Sequence, residues 1–363
     1  MRSTTDELRQ GAGAALLPLL LLLLGGCSGA APGGTPAPTA EPTTAVSAPA
    51  TAQAATPTPA PTPSPAAVKV TKDVAYETAN DVLVPGKLDV YAPQTGGGPW
   101  PVVVMFHGTP SDVSKEFLAE HARRVAEQGF VVFDADWGHT TTSGESGMSD
   151  TYAYATASNA QVACAIAFAR ANAAANGGDP SKLIVFGHSG GSNVGGVVAF
   201  GGATPSTGCV EGTEVGPIGA LVTWEGDFLA APMFDPALKA EPRFFDLLTP
   251  WAHLADKPKL PVHMLLSENP GPQVEASFAA ADLPGFLALR DKDGTMQRLM
   301  EKTGAITDGI FSAADEQRVL YEALRELGNP VSLDIMPGST HRYLSEEGWK
   351  VFLAAFQKAA GRP

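Results

Sequence analysis

From Val68 to Pro363 the sequence predicts an α/β domain: a mostly parallel central sheet of about eight strands with helices on both faces. Three observations carry that reading. Strand-like and helix-like segments alternate along the chain. The run Pro101-Val102-Val103-Val104-Met105-Phe106 is continuously apolar, as in a strand covered on both sides. Finally, Lys182 to Gly202 reads as a short strand (Leu183 to Phe186), then Gly187-His188-Ser189-Gly190-Gly191, then a helix of small residues.

The elements follow in order. Val68 to Glu77 and Lys87 to Tyr91 predict two opening antiparallel strands joined through Pro85-Gly86, and the buried strand ending at Phe106 runs into His107-Gly108-Thr109-Pro110. Lys115 to Gln128 is an amphipathic helix closed by Gly129, and Phe130 to Phe133 is the next strand. A polar loop from Gly138 to Asp150 precedes an alanine-rich helix over about Ala155 to Ala175. After Gly202 come a strand over Ile218 to Trp224 ending in Glu225-Gly226-Asp227, then an aromatic, irregular stretch from Phe228 to Lys257. Leu260 to Leu266 is a strand, about Pro270 to Ile306 an insertion, Ala314 to Leu327 a helix and Val331 to Ile335 the last strand. Gly348 to Ala360 closes the chain as a helix. Gly195 and Gly196 inside the elbow helix disfavour it by about 1 kcal/mol each relative to alanine, which predicts a close approach of helix to sheet.

The first 67 residues have a different character. Ala14 to Leu24 is a leucine-dominated run too short to span a bilayer comfortably, and Leu24-Gly25-Gly26-Cys27 resembles the lipobox of bacterial lipoproteins. The resemblance implies a signal peptide over residues 1–26 and lipidation of Cys27. An ordinary signal peptide of a secreted protein is the alternative. Residues 31 to 67 hold 10 of the chain's 31 prolines and one charge, Glu41, a composition that cannot form a core, so residues 27–67 read as a disordered linker. Such a tether reaches on the order of 100 Å from a membrane. With Cys27 set aside, Cys164 and Cys209 remain as an even pair for an oxidising compartment, either a disulfide or two buried thiols. The formal net charge of -14 argues against nucleic acid or an anionic membrane surface as partner.

The chemistry centres on Ser189. Glycines two before and two after a serine, between a strand and a helix, allow a sharp turn that lifts the hydroxyl from the sheet edge, while the helix N-terminus favours an anion there. A serine hydroxyl is a weak nucleophile and needs a base. Of the seven histidines, His341 stands in a glycine-containing loop, Pro337-Gly338-Ser339-Thr340-His341, just after the last strand. A parallel sheet brings that loop to the same carboxyl edge as Ser189. His107 and His188 lie in turns where they hold backbone in place more readily than they present a ring to Ser189.

The strand ending in His107-Gly108, the Gly187-to-Gly191 elbow and the late Gly338-Ser339-Thr340-His341 make the domain resemble an α/β-hydrolase-fold serine hydrolase of the carboxylesterase and lipase-like kind, with a cap-like insertion. The resemblance implies acyl transfer, with Ser189 attacking a carbonyl and His341 moving the proton, and an oxyanion hole from the amides of Gly190 and Thr109. It also implies a carboxylate that orients His341. Asp308, in Ile306-Thr307-Asp308-Gly309-Ile310-Phe311, matches the acid-bearing segment best, with Glu268 and Asp227 as alternatives. Phe228 to Trp251 reads either as a cap lining an acyl pocket or as a hairpin packed on the fold, and Ala279 to Met300 as a possible addition to a cap.

The histidines and cysteines show no zinc spacing and no phosphate-binding loop is present, so the sequence implies no metal and no cofactor. The expectation is an extracytoplasmic ester hydrolase, anchored to the membrane through Cys27 and acting on a small-molecule or lipid-like ester. The alternatives are a serine peptidase, a thioesterase or polyester hydrolase of the same fold, or a binding protein that kept the fold without the chemistry.

Overall fold

A computed structural model describes residues 67–362 except 110–112, 141–150, 227, 229–245, 248, 257–258, 272–277, 280–286, 289–290, 292 and 306–309. The expected signal peptide, Cys27, nearly all of the expected linker, most of the aromatic stretch and most of the polar loop after Gly138 therefore lie outside the described residues.

Eight strands form the central sheet among the described residues. They are β1 (Val68–Ala75), β2 (Lys87–Pro93), β3 (Trp100–Phe106), β4 (Val131–Ala135), β5 (Gly178–His188), β6 (Ala220–Trp224), β7 (Val262–Ser267) and β10 (Val331–Met336). The two-residue segments β8 (Phe278–Ala279) and β9 (Ile310–Phe311) pair with each other instead. The spatial order is β1-β2-β4-β3-β5-β6-β7-β10. The pairs β1·β2 and β2·β4 are antiparallel, and every pair from β4 onward is parallel. Parallel neighbours cannot be joined by a tight turn, so the chain crosses over between them, for the most part through helices. The crossover helices are α1 (Ala119–Glu127), α2 (Thr151–Asn172), α3 (Gly190–Ala199), α4 (Thr295–Thr303) and α5 (Ala313–Glu326), and α6 (Glu346–Ala359) follows the last strand.

Period-two alternation splits the strand residues between two cores. Val102, Val104 and Phe106 of β3 join Leu183 and Val185 of β5 beneath α2 and α3. Val103, Met105, Ile184 and Phe186 face the opposite way, onto α1 and onto Phe352 and Phe356 of α6. Two cores explain why these strands read as unbroken apolar runs.

Departures from the predicted boundaries have local causes. The helix expected over Lys115 to Gln128 begins as a separate 3-10 turn, Lys115–Phe117, before α1. Lys115 is tied down there: its amide donates to Asp136 Oδ1 at 2.7 Å, and its ammonium meets Asp89 at 3.0 Å and Asp73 at 3.1 Å. β5 starts at Gly178 rather than Leu183, because Gly178 and Asp179 pair with Trp100 and Pro101 ahead of a register shift that takes up the polar residues Pro180 to Lys182. Gly195 does approach the sheet: a Cβ there would lie 3.2 Å from Val185 of β5, whereas one on Gly196 would run into Pro250. Part of the insertion packs on the fold. Met296, Leu299 and Met300 of α4 are buried with Val319, Leu320 and Leu324 of α5, and Arg298 and Lys302 bridge to Glu326 and Glu322 at 2.7 and 2.8 Å. Cys164 of α2 and Cys209 form a disulfide with Cα atoms 5.4 Å apart.

One core residue should couple stability to pH. His121 of α1 is buried among Phe117, Trp224, Trp349 and Phe352. Burial pushes its imidazole down to about 4. As pH falls from about 6.5 towards 4 the unfolded chain binds a proton that the folded chain refuses, so stability is lost across that window, by up to about 1.4 kcal/mol per pH unit. Urea unfolding of wild type and His121→Phe at pH 7 and pH 5 checks this. The variant should lose less stability on acidification than wild type, and equal losses would exclude His121 as the cause.

Candidate active site

The elbow forms where β5 meets α3. Ser189 sits between them with φ 52° and ψ −124°, a conformation that non-glycine residues rarely adopt and that is held by its surroundings. Its amide donates to Trp224 O at 2.8 Å, and Ser192 Oγ donates to Gly187 O at 2.6 Å. Only glycine fits on either side. A Cβ on Gly187 would overlap the Gly191 carbonyl, and one on Gly191 would overlap the carbonyls of Phe106 and His107.

That second contact brings the end of β3 against the elbow. A Cβ on Gly108 would lie 3.4 Å from Ser189 Cβ, and one on Gly190 would lie 3.4 Å from both the amide nitrogen and the hydroxyl of Thr109. Thr109 and Gly190, the two amides expected to hold an oxyanion, are therefore neighbours beside Ser189.

His341 lies in the turn after β10. Gly338, at φ +63°, gives the turn its left-handed step, and Thr340 and Tyr343 close it with reciprocal backbone bonds. The His341 carbonyl accepts a hydrogen bond at 2.7 Å from His188 Nε2, whose ring packs 4.6 Å from the His341 ring, centroid to centroid. A carbonyl can only accept, so His188 carries its proton on Nε2. Burial, reinforced by the neighbouring His341 ring, keeps His188 neutral far below the usual imidazole range.

The carboxylate that meets His341 is Glu225, the residue directly after β6. His341 Nδ1 donates to Glu225 Oε2 at 2.6 Å, while Glu225 Oε1 accepts the Ser267 amide at 2.5 Å. The Glu225 side chain is only 1% exposed. Glu225 also has positive φ, 51°, which turns the chain out of the strand direction just where the carboxylate is needed. Ser267, at the end of β7, supports the arrangement twice, because its hydroxyl accepts from the Trp224 indole at 3.1 Å. With the Nδ1 proton donated to Glu225, the free electron pair of His341 is on Nε2, the nitrogen a general base uses.

The carboxylate that bonds His341 is thus not among the three that the sequence reading weighed. Glu268, an alternative in the sequence reading, is exposed and accepts the Gly338 amide at 2.7 Å, so it braces the histidine turn and does not touch the ring. Asp308 and Asp227 lie outside the described residues, and the Nδ1 that either would need is taken by Glu225. Sequence reasoning passed over Glu225 as a strand end. What identifies it is register, visible only in the fold: His188 pairs with Trp224, so the next residue on β6 lies across from Ser189.

The BD-FAE family, one of α/β-hydrolase type, matches residues 88–212, from β2 past the elbow. Among solved structures the chain is similar to esterase 2 of the planctomycete Thermogutta terrifontis. With the form phosphoramylated by tabun it shares 16% identity over 82% of this chain and 94% of that one, with a TM-score of 0.52. The form phosphorylated by paraoxon gives 16% identity over 81% and 92%, with a TM-score of 0.51. This chain has the α/β-hydrolase fold. No curated protein matches it in sequence. The matched family segment of this α/β-hydrolase-fold chain contains the Thr109 loop and Ser189 but neither Glu225 nor His341, so those two rest on the geometry above.

The short Glu225–His341 contact should be visible in solution. A proton held between an imidazole nitrogen and a buried carboxylate resonates far downfield in the proton NMR spectrum. That signal should vanish in His341→Ala and move upfield in Glu225→Gln. A signal unchanged in Glu225→Gln would mean that another group holds the proton.

Proposed function

We propose that the protein is a serine hydrolase cleaving carboxylic esters, with Ser189 as nucleophile, His341 as general acid and base, and Glu225 as the carboxylate that orients and charges the pair. The observation that carries this reading is the bond from His341 Nδ1 to buried Glu225 at the sheet edge where Ser189 stands. Ser189 Oγ attacks the ester carbonyl as His341 Nε2 takes its proton, and Glu225 stabilises the imidazolium. The amides of Gly190 and Thr109 hold the oxyanion, each worth roughly 3 kcal/mol of barrier by analogy with single oxyanion donors. His341 then returns the proton to the leaving alcohol. Water, activated by the same imidazole, releases the acyl group and frees Ser189.

Esters are favoured over amides by what the neighbours are: the Thermogutta terrifontis protein is an esterase, solved with propionate bound and with tabun or paraoxon adducts. The small-molecule or lipid-like ester is met outside the cytoplasm, with the domain tethered by a lipid on Cys27 through the proline-rich linker; loss of labelled fatty-acid incorporation in Cys27→Ser tests the anchor.

A fluorophosphonate probe tests the chemistry. One adduct on the peptide carrying Ser189, absent from Ser189→Ala, is the expected result, followed by turnover of p-nitrophenyl esters. A folded sample that takes no adduct on Ser189 would sink the enzyme reading.

A further inference from the structure

A second cluster stands at the carboxyl ends of β3 and β4, outside the Ser189–His341–Glu225 set. Phe106 pairs with Ala135, so the next residues on the two strands, His107 and Asp136, emerge side by side, and His139 follows three residues after Asp136. His107 Nε2 and His139 Nε2 each lie 3.5 Å from Asp136 Oδ1, and the three atoms all fall within 4.8 Å of one another.

We propose that His107 Nε2, Asp136 Oδ1 and His139 Nε2 form a binding site for a divalent transition-metal ion, zinc by its ligand chemistry. Two imidazoles and a carboxylate are a donor set that zinc takes readily, with a fourth position left for water. Tetrahedral zinc with bonds of about 2.0–2.1 Å holds its ligand atoms about 3.4 Å apart. The two 3.5 Å separations match that edge, and the third lies within 4.8 Å.

The surroundings prepare the ligands. His107 Nδ1 lies 2.9 Å from Gly108 O and must carry the proton to reach that carbonyl, which leaves Nε2 as the electron-pair donor. Asp136 Oδ1 also accepts the Lys115 amide at 2.7 Å, fixing the carboxylate. His139 is anchored by its own carbonyl, which accepts from Val84 N at 2.7 Å, and its Nε2 faces Asp136 Oδ1. The Trp137 amide reaches His107 Nε2 only at 3.3 Å, a long contact that a metal would displace. The nearby Lys115 ammonium is committed to Asp73, Asp89 and Glu116, and it does not neutralise the three converging electron pairs. His107 is fully buried, whereas Asp136 and His139 are 24% and 30% exposed, so the cluster stands at the boundary between core and surface.

The position gives the ion a role. It would clamp the end of β3, two residues before Thr109, to β4 and the loop after it. Linear spacing hides the site because its ligands come from two strand ends and a loop, with no short repeat of histidine or cysteine.

The test is zinc titration of the untagged, chelator-treated protein by calorimetry, with thermal unfolding in parallel. Uptake of one equivalent and a rise of several degrees in the unfolding midpoint at excess zinc are expected, with affinity lowered at least about tenfold in His139→Ala and in Asp136→Asn. Ser189→Ala should bind as wild type. X-ray absorption of the zinc-loaded wild type should show imidazole scattering from two ligands, a readout that does not depend on any variant folding. No saturable uptake, uptake undiminished in both ligand variants, or an all-oxygen zinc shell would overturn the proposal.

Discussion

Burying a carboxylate is costly unless its oxygens are met by donors, and at Glu225, whose side chain is 1% exposed, both are. Oε1 takes the Ser267 amide from β7 and Oε2 takes His341 from the turn after β10, so one side chain joins three neighbouring strand ends. Removing it would leave a buried amide and an imidazole N–H without partners at once. The arrangement at this edge is coupled for that reason. The histidine turn is further braced by Glu268 at the Gly338 amide and by His188 at the His341 carbonyl, and His188 belongs to the elbow itself. His341, Glu225 and the Ser189 elbow are thus held by one network of polar bonds, in which a fault at any member is felt by the others.

The sheet supplies the other half of the geometry. Parallel strands end on one edge, and β3, β5, β6 and the turn after β10 bring the Thr109 loop, Ser189, Glu225 and His341 to it. The close approach of β3 to the elbow depends on Gly191, whose missing side chain leaves room for the carbonyls of Phe106 and His107. Positive φ at both Ser189 and Glu225 shows the same device used twice, a strand whose last step is bent so that a functional side chain leaves the sheet sideways. Such conformations cost of order 1–3 kcal/mol and persist where packing over-determines them, as the buried surroundings of β5, β6 and α3 do here.

What could be read from the sequence was what is local. Strands buried on both faces announce themselves as apolar runs, and the elbow announces itself through glycine spacing, so the sheet, Ser189 and the histidine turn after β10 were legible. The acid was not, because its identity depends on which strand end lies beside which in space. β7 stands between β6 and β10, and a carboxylate from the end of either β6 or β7 can reach a histidine after β10. Family resemblance favoured the segment after β7 and pointed to Asp308 and Glu268. The structure puts Glu225 of β6 on the ring instead, through a register that no linear pattern encodes. The cluster of His107, Asp136 and His139 escaped for a related reason, since adjacency of β3 and β4 is a fact of topology.

Fold and chemistry remain separate claims, since one fold hosts many activities. The α/β-hydrolase architecture rests on sheet order and on the structural neighbours; the proposed ester chemistry rests on Ser189, His341 and above all on Glu225. The most direct test is steady-state kinetics of Glu225→Gln beside Asp308→Ala on a p-nitrophenyl ester. Glu225→Gln should lower kcat by about three to four orders of magnitude, as loss of the charge behind a catalytic histidine does. Asp308→Ala should stay within a few-fold of wild type. The reverse pattern, with Asp308→Ala inactive and Glu225→Gln near normal, would contradict the assignment of the acid on which this account is built.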